Sequence, residues 1–252
     1  HNIEGYVKKI CMIAVLYVLL YAQPTTARFW GYANMTAVLT NNWVFVVMPG
    51  LRYEFLRDDG MNSPAKKLYF TELLTGPVYT MRHQCITLKL PVWYYYMGFP
   101  VSTADDYFYS HNIEFLPIIE YRVNKLKVTS RTIFHNTVYA SIYETPALRN
   151  GYGLVIRQLF RADYSVSNTV SIMAGEEPFF GVIEDSEAPP HVLGFWPAGF
   201  HMNRLYTGCT IQLNRSMTIS PQYVFETTYG DDVELAGINH YFHFIVTWIV
   251  RF

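Results

Sequence analysis

Charged side chains are scarce in this chain of 252 residues, only 15% of the total, yet several recur at alternate positions inside otherwise apolar segments. Glu114, Glu120 and Arg122 share one parity. Arg131 stands in the next segment, and Arg157, Arg161 and Asp163 share a parity in a third. Glu177, Arg204 and Glu226 fit the same scheme further on. Carboxylates and guanidiniums that face a common interior can do one of two things. They can pair into a salt-bridged plug, or they can line a polar lumen that passes or binds small solutes. Buried charges must be paired or solvated, and mixed signs at similar depths favour pairing.

Other chemistry is poorly supported. Lipid hydrolysis by a Ser–His pair has candidates in Ser130, Ser171 and Ser220 and in His135, His201, His240 and His243, but no spacing among them fixes a nucleophile, a base and an acid. No catalytic residue is therefore assigned. The chain has no Gly-rich phosphate loop, paired CxxC or HExxH, so no cofactor and no metal is expected from motifs. Cys11, Cys85 and Cys209 are too few and too scattered for a disulfide framework. The pairs Asp105-Asp106 and Asp231-Asp232 could recruit a divalent cation near lipopolysaccharide. Lys+Arg (19) and Asp+Glu (20) nearly cancel, which leaves no basic footprint for nucleic acid.

The elements that position these residues are strands. From Tyr152 to Tyr164 one side reads Tyr152, Leu154, Ile156, Gln158, Phe160, Ala162, Tyr164, and the other carries Arg157, Arg161 and Asp163. A period of two with charge on one face is a strand. The pattern recurs over Trp43–Leu56, Leu68–Tyr79, Cys85–Tyr96, Asn112–Val123, Lys125–Ala140, Thr169–Phe180, Asn203–Asn214, Met217–Tyr229 and Gly237–Phe252. Phe29–Thr40 follows it weakly. No amphipathic helix interrupts the series. Tight turns at Asn41-Asn42, Arg82–Gln84, Asn124, Ser167-Asn168 and Asn214-Arg215 alternate with long connections rich in Asp, Pro and Gly. One of these, Glu184–Phe200, carries Phe195, Trp196 and Phe200. It could form an external knob, fold into the barrel mouth or dip into a lipid interface.

Strict alternation of short turns and long loops predicts an all-β, up-and-down antiparallel transmembrane β-barrel. The segments allow ten to twelve strands. Twelve suits the even counts of bacterial barrels, which leaves Phe29–Thr40 either outside the membrane or short of a missing partner. Aromatics make up 17% of the chain, with 21 Tyr and 17 Phe, in keeping with a wall that does not face water on all sides. The last segment sorts cleanly. Ile238, His240, Phe242, Phe244, Val246, Trp248, Val250 and Phe252 form an almost wholly apolar stripe, and Asn239, Tyr241, His243, Ile245, Thr247, Ile249 and Arg251 lie opposite. At the other end, Lys8 and Lys9 precede an apolar run from Ile10 to Ala22, and Thr25-Thr26-Ala27 offers a small-x-small cleavage site. This predicts a leader over residues 1–27 and a barrel domain over 28–252.

Two resemblances follow. Phe244, Trp248, Val250 and the terminal Phe252 resemble the C-terminal signal of bacterial outer-membrane proteins, which implies recognition by the barrel-assembly machinery. Glu176-Glu177-Pro178-Phe179-Phe180 at a strand end, Asn203–Gly208 opening a strand, Asn214, Asp231-Asp232, Asn239-His240 and Phe252 together resemble a family of outer-membrane barrels of unknown function. That resemblance implies a porin-like barrel in the outer membrane of a Gram-negative bacterium, with membrane lipid and lipopolysaccharide as neighbours. It names no ligand and transfers no catalytic residues. The functions left in competition are a structural or interaction barrel with a plugged lumen, a narrow channel or small-solute transporter, and a lipid-modifying hydrolase.

Overall fold

The computed structural model describes residues 26–57, 68–100, 107–142, 145–149, 152–184, 198–230, 233 and 235–251. Its elements are all strands. They are β1 (Thr26–Val38), β2 (Trp43–Arg57), β3 (Leu68–His83), β4 (Ile86–Pro100), β5 (Tyr107–Phe115), β6 (Ile118–Val123), β7 (Leu126–Ile142), β8 (Thr145–Arg149), β9 (Gly153–Ser165), β10 (Val170–Ile183), β11 (Gly199–Gln212), β12 (Met217–Tyr229) and β13 (Leu235–Arg251). Each of β1 to β4 pairs with the next, β9 to β13 do the same, and β13 returns to β1. The sheet therefore closes on itself and leaves the ring no free edge.

β5 and β6 are two halves of one staggered strand. Both lie between β4 and β7. The ladder breaks at Leu116-Pro117 because proline has no N–H to donate. The Pro117 carbonyl still accepts from Thr132 N at 3.1 Å, and alternation continues through the break. Counted this way, the ring has eleven strands, and β8, which pairs only with β7, stands outside it as a twelfth.

An odd ring cannot be antiparallel throughout. In a closed circuit whose strands alternate in direction, an odd count forces one parallel contact. That contact is β1 with β13, in unbroken register from Thr26 opposite Asn239 to Val38 opposite Arg251. The barrel is antiparallel at every other contact, as expected, and parallel at this one seam. The doubt over Phe29–Thr40 is resolved there, since β1 is a full wall strand, hydrogen-bonded to β2 on its other side. β1 also takes in Thr26 and Ala27, which the sequence reading assigned to the leader.

The turns obey local chemistry. Asn124 and Gln84 hold positive φ (50° and 49°) in the tight β6–β7 and β3–β4 connections, and Asn is among the residues that tolerate that region. The tight turns and the end of β13 gather at one rim, and the strand ends that lead into the long connections lie with the start of β1 at the other. Most of the long connections fall outside the described residues, including Asp105-Asp106, Asp231-Asp232 and the aromatic part of Glu184–Phe200.

One glycine sets the β3–β4 seam. A Cβ on Gly76 would lie 2.2 Å from the carbonyl oxygen of Val92 and 3.0 Å from Trp93 Cα. Both are backbone atoms that cannot swing aside. Gly76→Ala should cost about 1–3 kcal/mol through the shift it forces. A urea titration of the folded fraction should detect this, and a midpoint equal to that of the parent chain would refute the close approach.

Candidate functional site

The inner wall is polar and its polar groups are organised around carboxylates. Period-two alternation sends Arg28, Trp30 and Tyr32 inward from β1, Arg52 and Glu54 from β2, Glu72 from β3 and Tyr95 from β4. Across the ring it sends in Glu114, Arg131 and His135, Arg157 and Arg161, Glu177, Arg204, Glu226, Tyr241 and His243. Three buried glutamates act as hubs.

Glu72 accepts from Trp30 Nε1 at 2.7 Å, from Tyr95 Oη at 2.6 Å and from Arg52 Nε at 3.4 Å. Glu177 accepts from Arg131 Nη2 at 2.8 Å, Arg157 Nη2 at 3.1 Å and Tyr206 Oη at 2.5 Å. Glu226 accepts from Arg204 Nε at 2.6 Å, Asn239 Nδ2 at 2.9 Å and Tyr241 Oη at 3.0 Å. Each therefore holds one or two guanidiniums and at least one neutral donor, the satisfied pattern that makes a buried ion pair tolerable.

Aromatic rings tie the hubs together. Arg157 and Arg204 each place the guanidinium carbon 4.6 Å from the Phe179 ring centre, and Arg52 lies 4.1 Å from that of Trp30. These are cation–π distances. Nearer the long-loop rim, Arg28 Nε donates to Glu54 at 3.0 Å and Arg28 Nη1 to the Tyr241 hydroxyl at 2.9 Å. Glu114 meets His135 Nδ1 at 2.7 Å and Arg157 Nη1 at 3.8 Å.

The remaining charges of the sequence reading lie apart from these hubs. Glu120 pairs with Lys89 at 2.8 Å. Asp163 bonds Arg161 and lies 3.6 Å from Lys127. Arg122 sits with Lys125, Lys127, Arg161 and Asp163 around a small cleft of about 130 Å³ at the tight-turn rim. Between this rim and the hubs lies a cavity of about 340 Å³, reaching Asn34, Ser220 and Thr247.

Arg28, Trp30, Arg52, Glu54, Glu72 and Tyr95 were missed by sequence reasoning. They fall on β1 to β4, where the inner faces also carry Val46, Met48, Leu74 and Met97, so charge did not mark the lumen side. The signal available was parity alone: Arg52 and Glu54 stand two apart, as do Arg28 and Trp30.

Among the described residues, the candidate serines Ser130, Ser171 and Ser220 are each bonded to a neighbour other than a histidine. Ser130 accepts from Gln158 at 3.0 Å on the outer wall, Ser171 meets Ser165 at 3.4 Å, and Ser220 meets Thr210 at 2.9 Å. His240 faces outward and meets the Tyr223 hydroxyl at 2.5 Å, and His243 stacks on Trp30 with ring centres 4.2 Å apart. His201 is buried in β11. Among the described residues, no group of three or more His, Cys, Asp or Glu is placed to hold a metal ion. Cys85 and Cys209 are free thiols.

A family model described as "Protein of unknown function (DUF2490)" matches residues 27–234, which spans the wall from β1 to β12. The chain belongs to this family. No curated protein matches the chain. For this DUF2490 member the match runs through all three hub glutamates. It stops short of β13, which supplies Tyr241 to the Glu226 hub and seals the ring. Phe244, Trp248 and Val250 stand on the outer face of that strand, and Phe252 lies outside the described residues.

Proposed function

We propose that this DUF2490 chain is an integral outer-membrane β-barrel whose lumen is shut by its own charge network, and that it serves as a structural or interaction barrel rather than an open pore. One observation carries the membrane reading: the polarity of the wall is inverted relative to a water-soluble barrel. Glu72, Glu114, Glu177 and Glu226 are buried inside, while Phe55 (62%), Phe160 (58%), Trp248 (56%) and Phe242 (52%) stand exposed outside with many other large apolar side chains. A surface so apolar would aggregate in water, whereas a closed ring satisfies every ladder in lipid.

Several outward polar groups among the described residues are paired with one another, as lipid contact demands. Tyr94 meets His111 as Tyr223 meets His240, each at 2.5 Å, and Thr132, Gln158 and Ser130 form a bonded triad. Glu176, exposed on the outer face of β10, accepts from Asn203 Nδ2 at 2.9 Å. The run of Lys8, Lys9 and Ile10–Ala22 suits an exported chain, and the outward Phe244, Trp248 and Val250 suit the barrel-assembly machinery of a Gram-negative cell. In that setting lipid and lipopolysaccharide would be the neighbours of the outer wall.

The buried and mutually paired charges of the hubs favour the non-conducting reading. Reconstitution into planar bilayers tests it, with folding checked by migration before and after boiling. The expected result is a heat-modifiable band and no steady ionic conductance. Stable unit conductances from the folded form would replace this reading with the channel.

A further inference from the structure

The cavity below the hubs is more than packing slack. Its volume of about 340 Å³ lies within the range of small-molecule sites. Several residues that line it carry a buried polar atom with no hydrogen-bond partner in the protein: Trp93 Nε1, Arg131 Nε, Arg157 Nε, Glu114 Oε2 and both ring nitrogens of His243. Buried polar atoms without partners are costly and uncommon, and here they belong to residues that line one space. Three of them are N–H donors, one is a carboxylate oxygen, and the neutral His243 ring adds one N–H donor and one acceptor. Leu74, Leu116, Ile133 and Met173 supply apolar wall between them.

The approach to this space is cationic. Arg161 borders both the cavity and the cleft at the tight-turn rim, where Arg122, Lys125 and Lys127 face a single acid, Asp163, with the Lys89–Glu120 ion pair on the neighbouring strands. Such a mouth concentrates anions. We infer that the lumen cavity binds a small organic carboxylate with a compact apolar body and a hydroxyl, entering from the tight-turn rim. The carboxylate would take the N–H groups of Trp93, Arg131 and Arg157, the body would lie on the aliphatic wall, and the hydroxyl would donate to Glu114.

This proposal rests on the reading of a lumen shut at the long-loop end. Its test uses the folded full chain in detergent micelles, with 4-hydroxybenzoate as the probe and 4-hydroxybenzylamine as its cationic counterpart. Binding is followed by calorimetry and by the fluorescence of the tryptophans. The carboxylate should bind saturably and the amine should not. Trp93→Phe and His243→Phe remove unpartnered groups while keeping an aromatic ring at each position, so both should fold. Trp93→Phe should weaken binding about tenfold, the loss of one hydrogen bond to a charged group.

Absence of saturable binding up to millimolar probe would overturn the inference. So would equal binding of the amine, or a Trp93→Phe variant that binds as the parent does. Conductance of the same sample separates the two readings. A non-conducting barrel that binds nothing removes the ligand site alone, and a conducting barrel that binds nothing removes both.

Discussion

Replacing Glu177 with alanine should lower the stability of the barrel by about 3–5 kcal/mol, the cost of leaving a buried charge without its partner. Glu177 is fully buried and neutralises two guanidiniums at once, Arg131 at 2.8 Å and Arg157 at 3.1 Å, while taking the Tyr206 hydroxyl at 2.5 Å. Its loss strands Arg157, which is also buried and whose other carboxylate, Glu114, is 3.8 Å away and engaged with His135. Arg131 is better placed to find water, because about a quarter of its side chain is exposed. The measurement is the urea midpoint of the unboiled, fast-migrating band. Glu177→Leu combined with Arg157→Met should recover part of the loss, because an apolar replacement of both partners removes the uncompensated charge. A loss below about 1 kcal/mol for Glu177→Ala, in the range of an exposed pair, would show that the hub is solvated and that the lumen is not shut there.

The second large effect belongs to the outer wall. Val246→Arg should block stable insertion into lipid vesicles, whereas Thr247→Arg, one residue along, should insert. Val246 lies on the outer face of β13, opposite Ala33 of β1 and Ile219 of β12. Thr247 borders the cavity. An arginine on the lipid face of a barrel costs about 2–4 kcal/mol near the bilayer midplane, whereas lumen positions tolerate charge. Flotation of the refolded variants with vesicles reads the difference. Equal insertion by both would argue that the apolar face does not meet lipid. Failure of both would point to a folding defect at the β1–β13 seam.

The two predictions use opposite faces of the same strands, and those faces were legible in the residues. Side chains alternate along a strand with a period of two, so wherever charge marks one face the assignment follows directly. β9 is such a case, with Arg157, Arg161 and Asp163 on one side and Leu154, Ile156 and Phe160 on the other. β13 is another. The same logic faltered on β1. Its inner face carries one charge, Arg28, with Trp30, Tyr32, Asn34 and Thr36, against Ala27, Phe29, Gly31, Ala33, Met35 and Ala37 outside, so the polarity contrast is present but only one charge marks it.

The sequence by itself determined the all-β class, the course of the strands, the alternation of tight and long connections and the polar face of most segments. All of these are local consequences of side-chain period and turn chemistry. The tertiary structure alone decided how the ring closes and which charges meet. Eleven wall strands force a parallel seam between β1 and β13, a condition on the whole circuit that no single segment carries. Glu177 reaches Arg131 and Arg157 from two other strands, 46 and 20 residues away in the chain. Partners that distant are brought together by register around a closed sheet, and register accumulates pair by pair from contacts that local sequence does not encode.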